Sequence, residues 1–133
     1  MLRPLPFALA LLALGASASV AAAQGDPEKG KIVFKKCKIC HKVGEGAKKG
    51  VGPHLNNVIG AAAGSREGYN YSKAMKEAGK NGLVWTPETL DRYIRKPKEV
   101  VPGTKMPFPG LKDDAQRQDL IAYLQQFSKQ PDK

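Results

Sequence analysis

The chain has 133 residues, 41% of them hydrophobic, and a formal charge of +10 at pH 7. That length leaves room for one small domain, and no internal repeat or low-complexity tract breaks it up. A charge excess of this size bears on partners and encounter rates and leaves the fold open.

The N-terminus, "MLRPLPFALALLALGASASVAAAQ", has Arg3, then an apolar stretch around Phe7 to Leu14, then small residues ending at Ala23. That order is the order of a secretory signal. We expect residues 1–23 to be a signal peptide cleaved after Ala23, and residues 24–133 to be the mature domain. The alternative is an uncleaved anchor, but the strongly apolar part is shorter than the roughly 20 residues a spanning helix needs. Removing the signal takes away one charge, Arg3, so the basic excess persists. An exported protein, most simply placed in a bacterial periplasm, has little occasion to meet nucleic acid. An acidic protein surface, with at most peripheral membrane contact, is the expected partner of the charge.

The elements follow in chain order. "DPEKGKIVFKKC" predicts a first helix with Asp26 as N-cap and Pro27 at the first helical position. Val33, Phe34 and Cys37 follow at helical spacing, and Gly30 would let another helix approach closely. Residues 44–68 show no period, and a loop that long in a small domain usually wraps something. "SKAMKEAG" predicts a short helix capped by Ser72 and ended by Gly79. "TPETLDRYIRKP" predicts one from Pro87 to about Lys96, with Thr86 as cap and Pro97 as stop. In "DDAQRQDLIAYLQQFSK", Leu120, Ile121, Leu124 and Phe127 make an apolar stripe with Tyr123 beside it. Asp113 or Asp114 caps this last helix, and Lys129 lies near the negative end of its dipole. No strand pair stands out, so the class is all-α: about four helices joined by Gly/Pro-rich loops.

Between the first helix and the long loop stands "KCKICHKVG". It holds the only two cysteines, Cys37 and Cys40, followed at once by His41, one of two histidines. A Cys-x-x-Cys pair can be a redox disulfide, half of a zinc site or, with His next, a haem attachment site. A thioredoxin-like disulfide needs a βαβ setting, which is not predicted here. A structural zinc needs four ligands, and Cys37, Cys40, His41 and His54 would crowd three of them into five residues. Haem attachment fits: both thiols add to the porphyrin vinyl groups, and His41 coordinates the iron. Export agrees, because covalent haem is attached outside the cytoplasm. A large bound cofactor would also help a domain too small for an ample core.

The sixth iron position could fall to Met75, Met106, His54 or nothing. Met75 lies in a predicted helix, where methionine is usually core filler. His54 follows Gly52-Pro53, is kept by the proximal loop from the far side of the ring, and is expected to be a surface loop residue. Met106 sits in "VPGTKMPFPG", flanked by Pro102, Pro107 and Pro109, a loop with little freedom that would hold one side chain at a fixed point. Given the haem motif, ligation by Met106 is favoured.

The mature chain resembles the class I c-type cytochromes, in particular the small bacterial members closest to mitochondrial cytochrome c. "GDPEKGKIVFKKCKICH", "GVGPHLNNVIG", "GYNYSKAM", "GLVWTPETLDRYIRKPKEVVPGTKMPFPGL" and "RQDLIAYLQQ" stand in the family's order and spacing. The resemblance implies the small cytochrome c fold around one haem c attached through Cys37 and Cys40, with His41 and Met106 as axial ligands. It implies that Pro53 accepts from the His41 N–H, that Tyr93 lies near the Met106 sulfur, and that Tyr71 and Trp85 donate to a buried propionate. Thr104 would donate to a propionate on the distal side, and Gly30, Phe34, Leu120 and Tyr123 would join the first and last helices. Two departures stand out. Ala61 occupies a place where many relatives have Arg, so a cation facing a propionate is missing unless Arg66 supplies it. Met75 replaces a polar residue that in some relatives shares a network with Tyr93.

With both axial positions filled, the expected function is a diffusible electron carrier, not an enzyme, shuttling single electrons in a respiratory or photosynthetic chain. Lys36, Lys38, Lys98 and Lys105 flank the haem-binding segments and would dock acidic faces of an oxidase, reductase, dehydrogenase or reaction centre. A monomer is expected. The alternative is a haem peroxidase or gas-sensing cytochrome with a dissociable sixth ligand.

Overall fold

A computed structural model describes residues 25–128. The expected signal peptide, residues 1–23, and Lys129 lie outside the described residues. Among the described residues five α-helices form, α1 (Pro27–Val33), α2 (Lys73–Lys80), α3 (Pro87–Arg95), α4 (Pro97–Val100) and α5 (Asp114–Gln125), and a 3-10 turn (Phe34–Lys36) follows α1. No strand forms among the described residues; one antiparallel bridge pairs Ala62 with Val84.

The helix starts follow local chemistry. Asp26 accepts from the Glu28 and Lys29 N–H groups, Ser72 from Met75, Thr86 from Thr89 and Asp113 from Gln116. Each acceptor satisfies an N–H that the first helical turn leaves without an internal partner. At α3 the exchange is reciprocal, because Thr89 Oγ1 also accepts from the Thr86 N–H at 2.9 Å. Two predicted ends differ. Gly79 lies inside α2, which runs on to Lys80, because its missing side chain lets the Ala63 carbonyl sit where a Cβ would be. Pro97 ends α3 and also opens α4, since a proline fits the first helical position without an N–H to satisfy.

α1 and α5 cross at the base of the core. A Cβ on Gly30 would lie 1.9 Å from the Asp119 carbonyl oxygen and 2.7 Å from Tyr123 Cβ. Asp119 Oδ1 accepts from the Asp26 N–H at 2.7 Å, and Phe34 packs on Tyr123 with ring centroids 5.4 Å apart. Val33, Phe34, Leu120, Ile121 and Leu124 are buried here with Leu90, Tyr93 and Ile94 of α3. Gly30→Ala is therefore expected to destabilise the protein by about 3 kcal/mol, the upper part of the usual overpacking range, because the obstacle is backbone. Urea unfolding measures it, and a loss under about 1 kcal/mol would mean that the crossing is looser than this.

Residues 38–72 make no helix and are tied down at intervals. Asn56 accepts from the Gly44 N–H and donates to its carbonyl, at 2.8 and 2.7 Å. The Asn57 N–H reaches the Phe127 carbonyl, just past α5. Around the bridge, Ala63 donates to Leu83, Trp85 to Ala61 and Gly60 to Trp85. The long loop is thereby held as one wall, with α2, α3 and the segment around Met106 as the other.

Candidate haem crevice

Between those walls lies a cavity of about 680 Å³, lined mainly by apolar side chains. Cys37, Cys40, His41, Pro53, Tyr71, Trp85, Tyr93, Thr104 and Met106 all line it.

The attachment wall is built by consecutive tight turns. Cys37 donates to Phe34, and both Cys40 and His41 donate to the Cys37 carbonyl, at 3.0 and 2.9 Å. This coiling brings two thiols and an imidazole to one surface. The thiols are free and half-buried. Burial pushes the Cys37 thiol up to about 11, against the opposing charge of Lys36. Among the described residues no group of three or more His, Cys, Asp or Glu could hold a metal ion.

His41 Nδ1 lies 2.7 Å from the Pro53 carbonyl oxygen. A carbonyl only accepts, so the ring proton sits on Nδ1 and Nε2 keeps its lone pair for a metal. Burial lowers the His41 pKa, opposed by the Pro53 bond, which keeps the ring neutral. Gly52, which the sequence reading passed over, fixes the ring from behind. A Cβ there would stand 2.6 Å from His41 Cε1.

Met106, which also lines the cavity, is half-buried, and its N–H points to Thr104 Oγ1 at 3.4 Å. Thr104 Oγ1 also shares a 2.8 Å hydrogen bond with the Tyr93 hydroxyl. Tyr93 stacks 4.8 Å from Trp85, and burial raises its phenol pKa. Tyr93 is thus tied to Thr104, two residues before Met106. Met75 is buried in the core and lines the same cavity.

Other expectations meet a different arrangement. His54 is not a surface residue. It is half-buried and lines the crevice, because the Gly52-Pro53 turn carries it inward, and Arg66 Nη1 stands 3.2 Å from its Nε2. Of the four lysines expected to dock partners, Lys36 and Lys105 line the crevice, Lys38 lines a second cleft with Lys31, Lys35 and Lys42, and Lys98 is exposed on α4. Lys105 is also no freely solvated amine. It donates to the Asn70 carbonyl and lies 5.1 Å over the Tyr69 ring.

These residues suit a haem. The cavity volume and apolar lining match a cofactor pocket. Two unpaired thiols, a tautomer-fixed imidazole and a thioether line one cavity. A family model described as cytochrome c matches residues 27–128. The chain belongs to the cytochrome c family: it is an electron carrier, not an enzyme, and bears one covalent haem c, with Cys37 and Cys40 fitting the attachment motif.

Among its relatives, cytochrome c2 of Rhodomicrobium vannielii is 56% identical over 123 residues, covering 92% of this chain and 95% of that one. Cytochrome c2 of Blastochloris viridis is 49% identical over 127 residues, covering 96% and 95%. The solved structure of cytochrome c2 from Rhodospirillum centenum superposes with a TM-score of 0.76 at 44% identity, covering 79% of this chain and all of that one.

Proposed function

We propose that His41 and Met106 are the axial ligands and that the chain carries single electrons between redox proteins in a bacterial periplasm, after removal of residues 1–23. When bound, the haem supplies a one-electron couple, and a His/Met ligand pair sets it high. The observation that supports this reading is that His41, its tautomer fixed by Pro53, and the proline-flanked Met106 line the same apolar crevice. The chain's part is to hold both ligands still and exclude water. Buried Trp85, Leu90, Tyr93 and Ile94 do the second, and the Tyr93–Thr104 bond steadies the Met106 loop. Tyr71 and Trp85 line the crevice and are proposed to donate to a propionate, with Thr104 serving a second one from the distal side. In the described structure Thr104 Oγ1 is engaged with Tyr93.

Among the described residues no helix is long and apolar enough to cross a membrane. Export and a monomeric state fit the signal-like N-terminus and a role in moving between partners. The docking face is proposed at the crevice mouth, where Ile39 is 82% and Val51 73% exposed beside Lys36 and Lys105. An apolar centre with a basic rim suits acidic faces of an oxidase, reductase, dehydrogenase or reaction centre. Lys98→Glu combined with Lys105→Glu is expected to slow bimolecular electron transfer several-fold at low salt and little at high salt. Equal stopped-flow rates before and after the change would remove these lysines from the docking face.

The optical spectrum tests the whole reading. A low-spin c-type spectrum with the far-red iron–sulfur band in the oxidised protein is expected. A high-spin spectrum would mean an open sixth position and peroxidase or gas-binding chemistry.

A further inference from the structure

The crevice wall around residues 54–71 holds a polar group that the axial ligands leave without a role. Arg66 Nη1 lies 3.2 Å from His54 Nε2, and Nη2 donates to the Asn56 carbonyl. A guanidinium only donates, so His54 Nε2 is the acceptor and the ring proton sits on Nδ1. That Nδ1 is buried and has no hydrogen-bond partner. A buried N–H without an acceptor carries its full desolvation cost, so the arrangement calls for one.

The same wall concentrates positive potential. The cations lining the crevice are Lys36, Arg66 and Lys105. Lys36 stands beside the cysteines, and Lys105 is committed to Asn70 and Tyr69. Arg66 lies on the Tyr71 side, where burial raises the phenol pKa and the Arg66 charge opposes the rise. Glu67 also lines the crevice, but it is exposed and its charge is solvated. Burial, followed by the Arg66 charge, lowers the His54 pKa, which agrees with a neutral ring donating from Nδ1.

We infer that His54 and Arg66 form a carboxylate site for one haem propionate, with His54 Nδ1–H and the Arg66 guanidinium as donors beside the Tyr71 hydroxyl. Arg66 then supplies the cation that Ala61, also on this wall, does not carry. A carboxylate in an apolar crevice is costly unless paired and hydrogen-bonded, and this pair does both. The inference rests on the haem reading of the crevice.

The test uses the mature holoprotein, its Arg66→Gln, Arg66→Lys and His54→Leu variants, potentiometric titration and resonance Raman. Removing a cation near the iron disfavours the reduced state. Arg66→Gln is expected to lower the reduction equilibrium constant about tenfold, ~59 mV for one electron. Arg66→Lys keeps the charge and most of the potential. His54→Leu, which removes a neutral donor, gives a smaller drop and shifts the propionate bending modes. If Arg66→Gln does not accumulate, His54→Leu carries the test. Unchanged potentials and unchanged propionate modes in variants with an intact His/Met spectrum would overturn this site alone. Absence of haem from the wild-type protein would overturn the reading beneath it.

Discussion

Met106→Ala is expected to convert the oxidised protein from low spin to high spin, abolish the far-red iron–sulfur band and lower the midpoint potential. A thioether ligand favours the reduced iron, and axial ligand identity moves haem potentials over a range of ~0.8 V. We expect at least ~100-fold in the reduction equilibrium constant, about 120 mV at ~59 mV per tenfold. Exogenous azide or cyanide should bind orders of magnitude faster, since no thioether has to leave first. Met75 is the matched control. It lines the same crevice but belongs to the buried core. Met75→Leu conserves volume and should cost less than about 1.5 kcal/mol while the band survives. A band that survives Met106→Ala and disappears with Met75→Leu would transfer the ligand to α2.

A loss of stability as large as that at Gly30 is expected away from the haem, at Arg117. Its side chain is 3% exposed on α5. Nε donates to Asp91 of α3 at 2.8 Å, Nη1 donates to the Leu111 and Lys112 carbonyls at 2.8 Å each, and Nη2 pairs with Asp114. One guanidinium thus fastens α3, α5 and the chain leading from the Met106 loop. Arg117→Ala leaves Asp91, at 22% exposure, without its main partner and two carbonyls unpaired. Breaking a buried pair costs roughly 3–5 kcal/mol, and the partial exposure of Asp91 favours the lower end, about 3 kcal/mol. Asp114 is 87% exposed and recovers its solvation, so its loss counts for little. Urea unfolding of the holoprotein gives the number, and a loss under about 1 kcal/mol would show that water replaces the guanidinium. Arg117→Lys keeps the charge but lacks the planar fork, and it should retain only part of the stability.

The features legible in the sequence are those whose interactions close over a few residues. Asp26, Ser72, Thr86 and Asp113 each cap an N–H two or three positions ahead, so composition and order sufficed to place four helices. Cys37, Cys40 and His41 are contiguous, so the attachment chemistry could be named before any fold was known. The Pro53 carbonyl on His41 was reached through resemblance, not through spacing.

What the tertiary structure alone decided involves partners distant in sequence. Nothing in the sequence around Arg117 marks it for burial, and it is Asp91, 26 residues away, that holds it in the core. His54 lies in the crevice against Arg66, 12 residues on, and Gly79 lies where the Ala63 carbonyl leaves no room for a side chain. Pro97 can end one helix or start another, and the packing of α3 let it do both. Caps, periods and attachment motifs are short-range and survive in the unfolded order of the chain. Burial of a charge, or an unpaired imidazole N–H, arises only when distant segments exclude water from the same place.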